Sequence, residues 1–103
     1  MDMNQIMQQA RQMQAQLAAT QDKLPDITVT ASAGGGAVKV TASADMQVTD
    51  IKIAPEAVDP EDVDLLQDMI LAAVNDALKA AGDAANQQFS AATGGLNVPG
   101  LFR

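Results

Sequence analysis

Residues 26–53 read DITVTASAGGGAVKVTASADMQVTDIKI, and apolar and polar side chains alternate through most of this stretch. In residues 26–33 the apolar positions are Ile27, Val29, Ala31 and Ala33, and in residues 37–43 they are Val38, Val40 and Ala42. Such alternation predicts two half-buried strands. The three glycines between them tolerate the positive φ angles of a tight turn, so the strands are expected to form a hairpin.

A third strand is predicted over residues 46–53, after a turn at Ala44-Asp45. Its apolar positions change phase near Thr49-Asp50, which indicates a β-bulge. The three segments together predict a three-stranded antiparallel meander.

Residues 3–24 are predicted to form a helix that ends at Pro25. Apolar or small side chains recur there at alternating spacings of three and four, namely Met3, Ile6, Ala10, Met13, Leu17, Thr20 and Leu24. This narrow seam is typical of a helix that pairs with another helix. The remaining faces carry glutamine and small residues, so we expect the helix to project from the core. An ordinary amphipathic core helix is the alternative.

A second, longer helix is predicted from Pro60 to about Phe89, with Asp59 as its N-cap and Pro60 at its first position. Apolar residues surround most of its circumference, whereas a three-stranded sheet covers only one side of a helix. The remaining apolar surface therefore calls for a second copy of the chain. The residues expected at this homodimer interface are Leu66, Ile70, Ala73, Val74 and Ala77.

The composition argues against an enzyme or a metal protein. The 103 residues include no histidine and no cysteine, so the usual general base, thiolate ligands and disulfides are missing. The acids between Asp59 and Asp64 resemble a cation site, but helix capping explains them better. The Gly34–Gly36 run lacks the Lys-Ser/Thr ending of a phosphate-binding P-loop, so a turn is favoured. We expect no catalytic residue, no cofactor and no metal.

The net charge of −7 is unevenly distributed. Between residues 55 and 85 eight carboxylates accompany a single lysine, Lys79, whereas residues 1–24 are neutral. No stretch approaches the roughly 20 apolar residues of a membrane span, and the N-terminus has no signal-peptide layout. These features predict a cytoplasmic protein without a membrane partner.

The order of helix, three strands, long helix and Gly-Gly tail resembles the YbaB/EbfC family of bacterial nucleoid-associated proteins. The resemblance covers nearly the whole chain. The segments that carry it are residues 7–10 (MQQA) with Met13, residues 34–40 (GGGAVKV), residues 59–63 (DPEDV), residues 70–77 (ILAAVNDA) and residues 93–101 (TGGLNVPGL).

The resemblance implies an α+β fold assembled as an intertwined homodimer, in one domain over residues 1–103. Its parts would be a projecting helix (1–25), a sheet (26–54), a dimer helix (59–90) and an apolar tail (91–103). It also implies binding of duplex DNA with little sequence preference, in the nucleoid, and an effect on chromosome organisation or gene expression. Gln, Ala and Thr stand where the family's first helix typically carries several lysines.

Because the net charge is negative, DNA binding would have to use local positive charges and neutral polar contacts. The residues expected to contact DNA are Arg11, Lys23, Gln8, Gln12 and Lys79. The alternative function is a protein-interaction or assembly scaffold that does not bind DNA directly. Its protein partner is not identified by the sequence.

Overall fold

The computed structural model describes residues 2–92. Its main elements are α1 (Met3–Lys23), β1 (Thr28–Ala33), β2 (Val38–Ser43), β3 (Gln47–Ile53) and α2 (Val63–Ala92). The strands form one antiparallel sheet in the order β1-β2-β3, which confirms the predicted meander and the α+β class. Most of the predicted apolar tail, residues 93–103, lies outside the described residues.

The two irregular points of the sheet lie where the sequence indicates them. Gly34, Gly35 and Gly36 all have positive φ, between 64° and 94°, and they connect β1 to β2. In the β2–β3 pairing Thr41 lies opposite Asp50 and Ala42 opposite Val48, which leaves Thr49 as the extra residue of a bulge. The Thr49 hydroxyl donates a hydrogen bond to the Thr41 carbonyl at 3.3 Å. The predicted bulge is therefore confirmed.

The core lies between the inner face of the sheet and α2. Its fully buried side chains are Val38, Val40 and Ala42 from β2 and Ala73, Ala77 and Ala81 from α2. The three alanines are four residues apart and so form one stripe along the helix. Because alanine is small, this stripe allows the helix backbone to pack closely against the valines of β2.

The helix α2 lies mainly on β1 and β2 and touches β3 at few points. At one end Met69 lies beneath the β1–β2 turn, since a Cβ added at Gly34 would clash with the Met69 sulfur. At the other end Gly82 is close to Met46, which precedes β3. Every residue of β3 is exposed as a result of this placement.

The start of α2 corrects the prediction that the helix begins at Pro60 with Asp59 as its N-cap. The Asp59 carboxylate accepts a hydrogen bond from the Glu61 amide at 2.9 Å, and the Asp59 carbonyl accepts one from Asp62. Residues 59–62 therefore form a separate turn. The helix begins at Val63, and the Asp62 carboxylate accepts from the Leu65 amide at 3.4 Å. Its described part extends to Ala92, beyond the predicted end at Phe89.

The helix α1 agrees with the predicted bounds, and its two halves have different surroundings. The Asp2 carboxylate caps its first turn by accepting from the Gln5 amide at 2.9 Å. Near its C-terminal end Thr20 and Leu24 are buried. At the other end Met3 is 72% exposed and Ile6 is 49% exposed. The apolar seam of α1 is therefore packed against the rest of the protein near the C-terminal end of the helix, whereas it is exposed to solvent near the N-terminal end. We refer to the exposed part as the open half of α1.

Candidate nucleic-acid interface and dimer surface

Three of the residues expected to contact DNA lie in the open half of α1, and all three are exposed. Gln8 and Gln12 are one turn apart, so they lie on the same face of the helix. Arg11 lies beside that face. Between Asp2 and Asp22 the chain has no carboxylate, so about 30 Å of helix presents amide and guanidinium donors without an acidic neighbour on the same helix.

Lys23 is the last residue of α1, and it is also exposed. Twelve residues separate it from Arg11, which corresponds to about 18 Å along the helix and about 120° around it. The structure therefore does not bring these two charges onto one face. At its position Lys23 also interacts favourably with the negative end of the helix dipole.

Lys79 lies on the exposed side of α2. Asp76 precedes it by three residues and Asp83 follows it by four, so both carboxylates are its neighbours on the helix surface. The local charge around Lys79 is negative, which makes it the weakest of the five expected DNA contacts.

The five residues expected at the dimer interface lie within one chain's own core or at its border. Ala73 and Ala77 are fully buried against the sheet of the same chain, so no surface of theirs is left for a second copy. Leu66, Ile70 and Val74 are half-buried and pack around the same core.

One exposed apolar surface lies elsewhere, on the inner face of β3. Val48, Ile51 and Ile53 pair with core residues of β2, which places them on the face that α2 covers over β1 and β2. They are nevertheless 36–45% exposed, because α2 does not extend over β3. Periodicity identified this face of the strand, but it could not show which strand the helix leaves uncovered.

The side of α2 next to β3 is also apolar. Leu71 is 61% exposed, and Leu78 and Gly82 follow it by seven and eleven residues, so the three lie on one side of the helix. Gly82 is close to Met46, the residue before β3, so at this end that side of α2 lies towards the uncovered strand. We refer to Val48, Ile51, Ile53 and Leu71, together with the half-buried Leu78 at their border, as the uncovered apolar surface.

The geometry of residues 2–92 bears on metal binding and on membrane insertion. Within residues 2–92 no three side chains of the metal-binding types come together. The acids Asp59 and Asp62 accept hydrogen bonds from backbone amides, as turn and capping residues do. No helix in the same part of the chain has the length and apolar character needed to cross a bilayer.

These features define a class: small α+β proteins in which a three-stranded meander carries one helix on its face and a second helix extends beyond the sheet. The sequence matches the YbaB/EbfC DNA-binding family over residues 1–96, and the chain belongs to that family.

Related proteins and a solved structure agree with this membership. A nucleoid-associated protein of Pelotomaculum thermopropionicum is 50% identical over 98% of this chain and 96% of its own length. A nucleoid-associated protein of Moorella thermoacetica is 50% identical over 97% of this chain and 96% of its own. The crystal structure of an uncharacterized Helicobacter pylori protein superposes with a TM-score of 0.73, at 25% identity, over 84% of this chain and 91% of that one.

Proposed function

We propose that this protein is a nucleoid-associated homodimer that binds duplex DNA with little sequence preference and thereby affects chromosome organisation or gene expression. The observation that carries the proposal is the open half of α1, which presents Gln8, Arg11 and Gln12 to solvent over a length free of carboxylates. Family membership and the names of the relatives support DNA as the partner and the bacterial nucleoid as the location. We propose no catalytic role.

The charge distribution decides which part of the protein faces DNA. The net charge of the whole chain is −7, so attraction to phosphate has to come from local groups of positive charge. The carboxylates from Glu56 to Asp68 repel phosphate, so we place the N-terminal end of α2 away from the duplex. Arg11 and Lys23, which lie on different faces of α1, contact the DNA backbone at separate points, and Gln8 and Gln12 add neutral hydrogen bonds beside Arg11. Lys79 contributes least, because two aspartates flank it.

The proposed dimer buries the uncovered apolar surface. A face that is apolar on both β3 and the adjoining side of α2 is typical of a protein–protein contact. A second copy of the same chain supplies a matching surface through two-fold symmetry. Leu66, Ile70 and Val74 pack half-buried around the core of one chain and Ala73 and Ala77 are fully buried in it, so these five residues support the proposed interface from within.

A double variant, Arg11→Ala with Lys23→Ala, tests the contact of α1 with DNA. Loss of a phosphate contact weakens binding equally on all sequences and lowers the salt slope by about one per contact. We therefore expect a uniform loss of affinity on two unrelated duplexes, measured by fluorescence anisotropy at two salt concentrations. Lys79→Ala removes one charge and is the control, and we expect it to cost less than half of the double variant's loss in log affinity. Unchanged binding of the double variant would exclude α1 as the contact.

A protein-interaction scaffold is the second candidate function. Met3, Ile6 and Met7 form an exposed apolar stretch on α1, and such stretches bind partner helices in other proteins. This reading replaces the first one if the wild-type protein binds no duplex DNA even at low salt.

A further inference from the structure

The outer face of the sheet, opposite α2, is polar and carries small hydroxyl side chains. We define it by Thr30 and Ser32 of β1, Lys39 and Thr41 of β2, and Asp50 and Lys52 of β3. These positions alternate with the core residues, so their side chains stand on the side of the sheet opposite α2, which no helix within residues 2–92 covers.

Two lysines are paired across neighbouring strands on this face. Lys39 is the direct register partner of Lys52, and Ser32 is the partner of Lys39 on its other side. Directly opposite residues of an antiparallel pair have Cβ atoms only about 5 Å apart, and two like charges in this arrangement repel each other. Both lysines are exposed, and Asp50, on the same face of β3, offsets only one of the two charges. The repulsion between Lys39 and Lys52 destabilises the free protein, but an anion bound between the two ammonium groups is attracted by both of them.

The surroundings of the lysine pair favour an anion as well. β1 and β2 contain no carboxylate, and Asp50 is the only acid among the residues of the outer face. By contrast, α2 carries four aspartates and one lysine. The outer face therefore has a net positive charge, although the chain as a whole is strongly acidic.

Hydroxyl groups beside the lysines can complete such a contact. The Thr30 and Thr41 hydroxyls are hydrogen-bonded to each other at 3.2 Å, which uses only one of their two hydrogens. The other remains available as a donor, as does the hydroxyl of Ser32. Phosphate oxygens in protein–DNA complexes accept hydrogen bonds from lysine, serine and threonine side chains. The row of Ser32, Lys39 and Lys52 crosses the three strands and spans about 10 Å.

We propose that the outer face of the sheet is a second DNA-contacting surface, on which Lys39 and Lys52 bind backbone phosphates and the neighbouring hydroxyls donate to them. This inference rests on the proposed function, because it assumes that the protein binds DNA, and it adds a surface separate from α1. The contact is to phosphate only, so it adds affinity without sequence preference.

The test compares two double variants that remove the same number of positive charges. Lys39→Gln with Lys52→Gln alters the outer face, and Arg11→Gln with Lys23→Gln alters α1. Binding of the full chain to an unrelated duplex is measured from 50 to 200 mM salt. If one sheet of the dimer contacts DNA, we expect the slope of log affinity against log salt to be about two units shallower for the sheet variant than for the wild type. Between 50 and 200 mM salt the wild type then loses about ten times more affinity than the sheet variant does.

Two further measurements separate binding from folding. Because repulsion between the lysines is removed, we expect Lys39→Gln with Lys52→Gln to have an unfolding temperature at or above that of the wild type. Lys39→Arg with Lys52→Arg keeps the charges, and we expect it to retain the affinity and the salt slope.

The outcomes distinguish the two proposals. If the wild type binds at 50 mM salt and the sheet variant binds with an unchanged slope, the outer face is not a contact, whatever the α1 variant does. If the wild type shows no binding at 50 mM salt, the proposed function itself fails, and the inference fails with it.

Discussion

At the scale of single residues, the glycine turn between β1 and β2 offers a matched pair of substitutions. Gly34 and Gly35 both have positive φ, but a Cβ at Gly34 would clash with the Met69 sulfur, whereas one at Gly35 would meet nothing within 4 Å. We expect Gly35→Ala to lower the free energy of unfolding by about 1–2 kcal/mol through backbone strain alone. Gly34→Ala is expected to lower it further, because Met69 has to move.

Urea unfolding followed by circular dichroism measures both variants. Adding Met69→Ala should remove most of the difference between them, since it takes away the clashing side chain. Equal stabilities of Gly34→Ala and Gly35→Ala would contradict the close approach of α2 to this turn.

Met46 is the opposite case, a residue with a side chain where glycine or asparagine is favoured. Its φ of 68° is the one positive value at a non-glycine residue among residues 2–92. Its side chain is half exposed, so little packing is lost when it is removed. We expect Met46→Gly to raise the free energy of unfolding, by about 1 kcal/mol at most. A lower urea midpoint would show that the contact of Met46 with Gly82 outweighs the backbone strain.

At the scale of elements, α1 should respond differently to substitutions at its two ends. Leu24 follows the helix directly and is 8% exposed, whereas Ile6 is 49% exposed. We expect Leu24→Ala to lower the free energy of unfolding by about 2–3 kcal/mol, within the range for buried leucines. Ile6→Ala is expected to change it by less than about 0.5 kcal/mol. Similar losses from both, measured by urea unfolding, would show that the open half of α1 is packed in solution.

The sequence predicted the elements well where local rules act alone. Alternation located the three strands, the glycines located the hairpin, and the phase slip located the bulge at Thr49. The start of α2 was misplaced because an aspartate before a proline suits both a helix N-cap and a tight turn. Asp59 hydrogen-bonds to the Glu61 amide and closes the turn, which leaves the helix to begin after Asp62.

The candidate site could be predicted only in part, for reasons that lie in the tertiary structure. Periodicity indicates that α2 is apolar on several sides. It does not indicate that the stripe of Ala73, Ala77 and Ala81 is completely buried against the sheet of the same chain. The position of α2 over β1 and β2, which leaves β3 open, depends on packing rather than on a local pattern. The pairing of Lys39 with Lys52 depends on the register of two strands, which the bulge shifts.

At the scale of the whole molecule, the proposed dimer interface predicts that two similar substitutions differ in their effect on dimerisation. Ile51 belongs to the uncovered apolar surface, whereas Leu65 is exposed on another side of α2, near the aspartates. We expect Ile51→Asp to abolish the dimer, because a charge buried without a partner at the interface is costly. Leu65→Asp should leave it intact.

Light scattering coupled to size-exclusion chromatography reads out the mass of both variants. A second measurement of dimerisation is the unfolding temperature, because it rises with protein concentration when a dimer unfolds to monomers. A folded Ile51→Asp variant with the mass and concentration dependence of the wild type would place the interface elsewhere.

The most direct test of the central claim is the affinity of the wild-type protein for two unrelated duplexes, measured as a function of salt. Arg11, Lys23, Lys39 and Lys52 from two chains give at most eight phosphate contacts, so the slope of log K against log salt is expected to be negative but no steeper than about −7. The two affinities should agree within about tenfold, because phosphate contacts carry no sequence information. No binding at 50 mM salt, or binding to only one of the duplexes, would contradict the account.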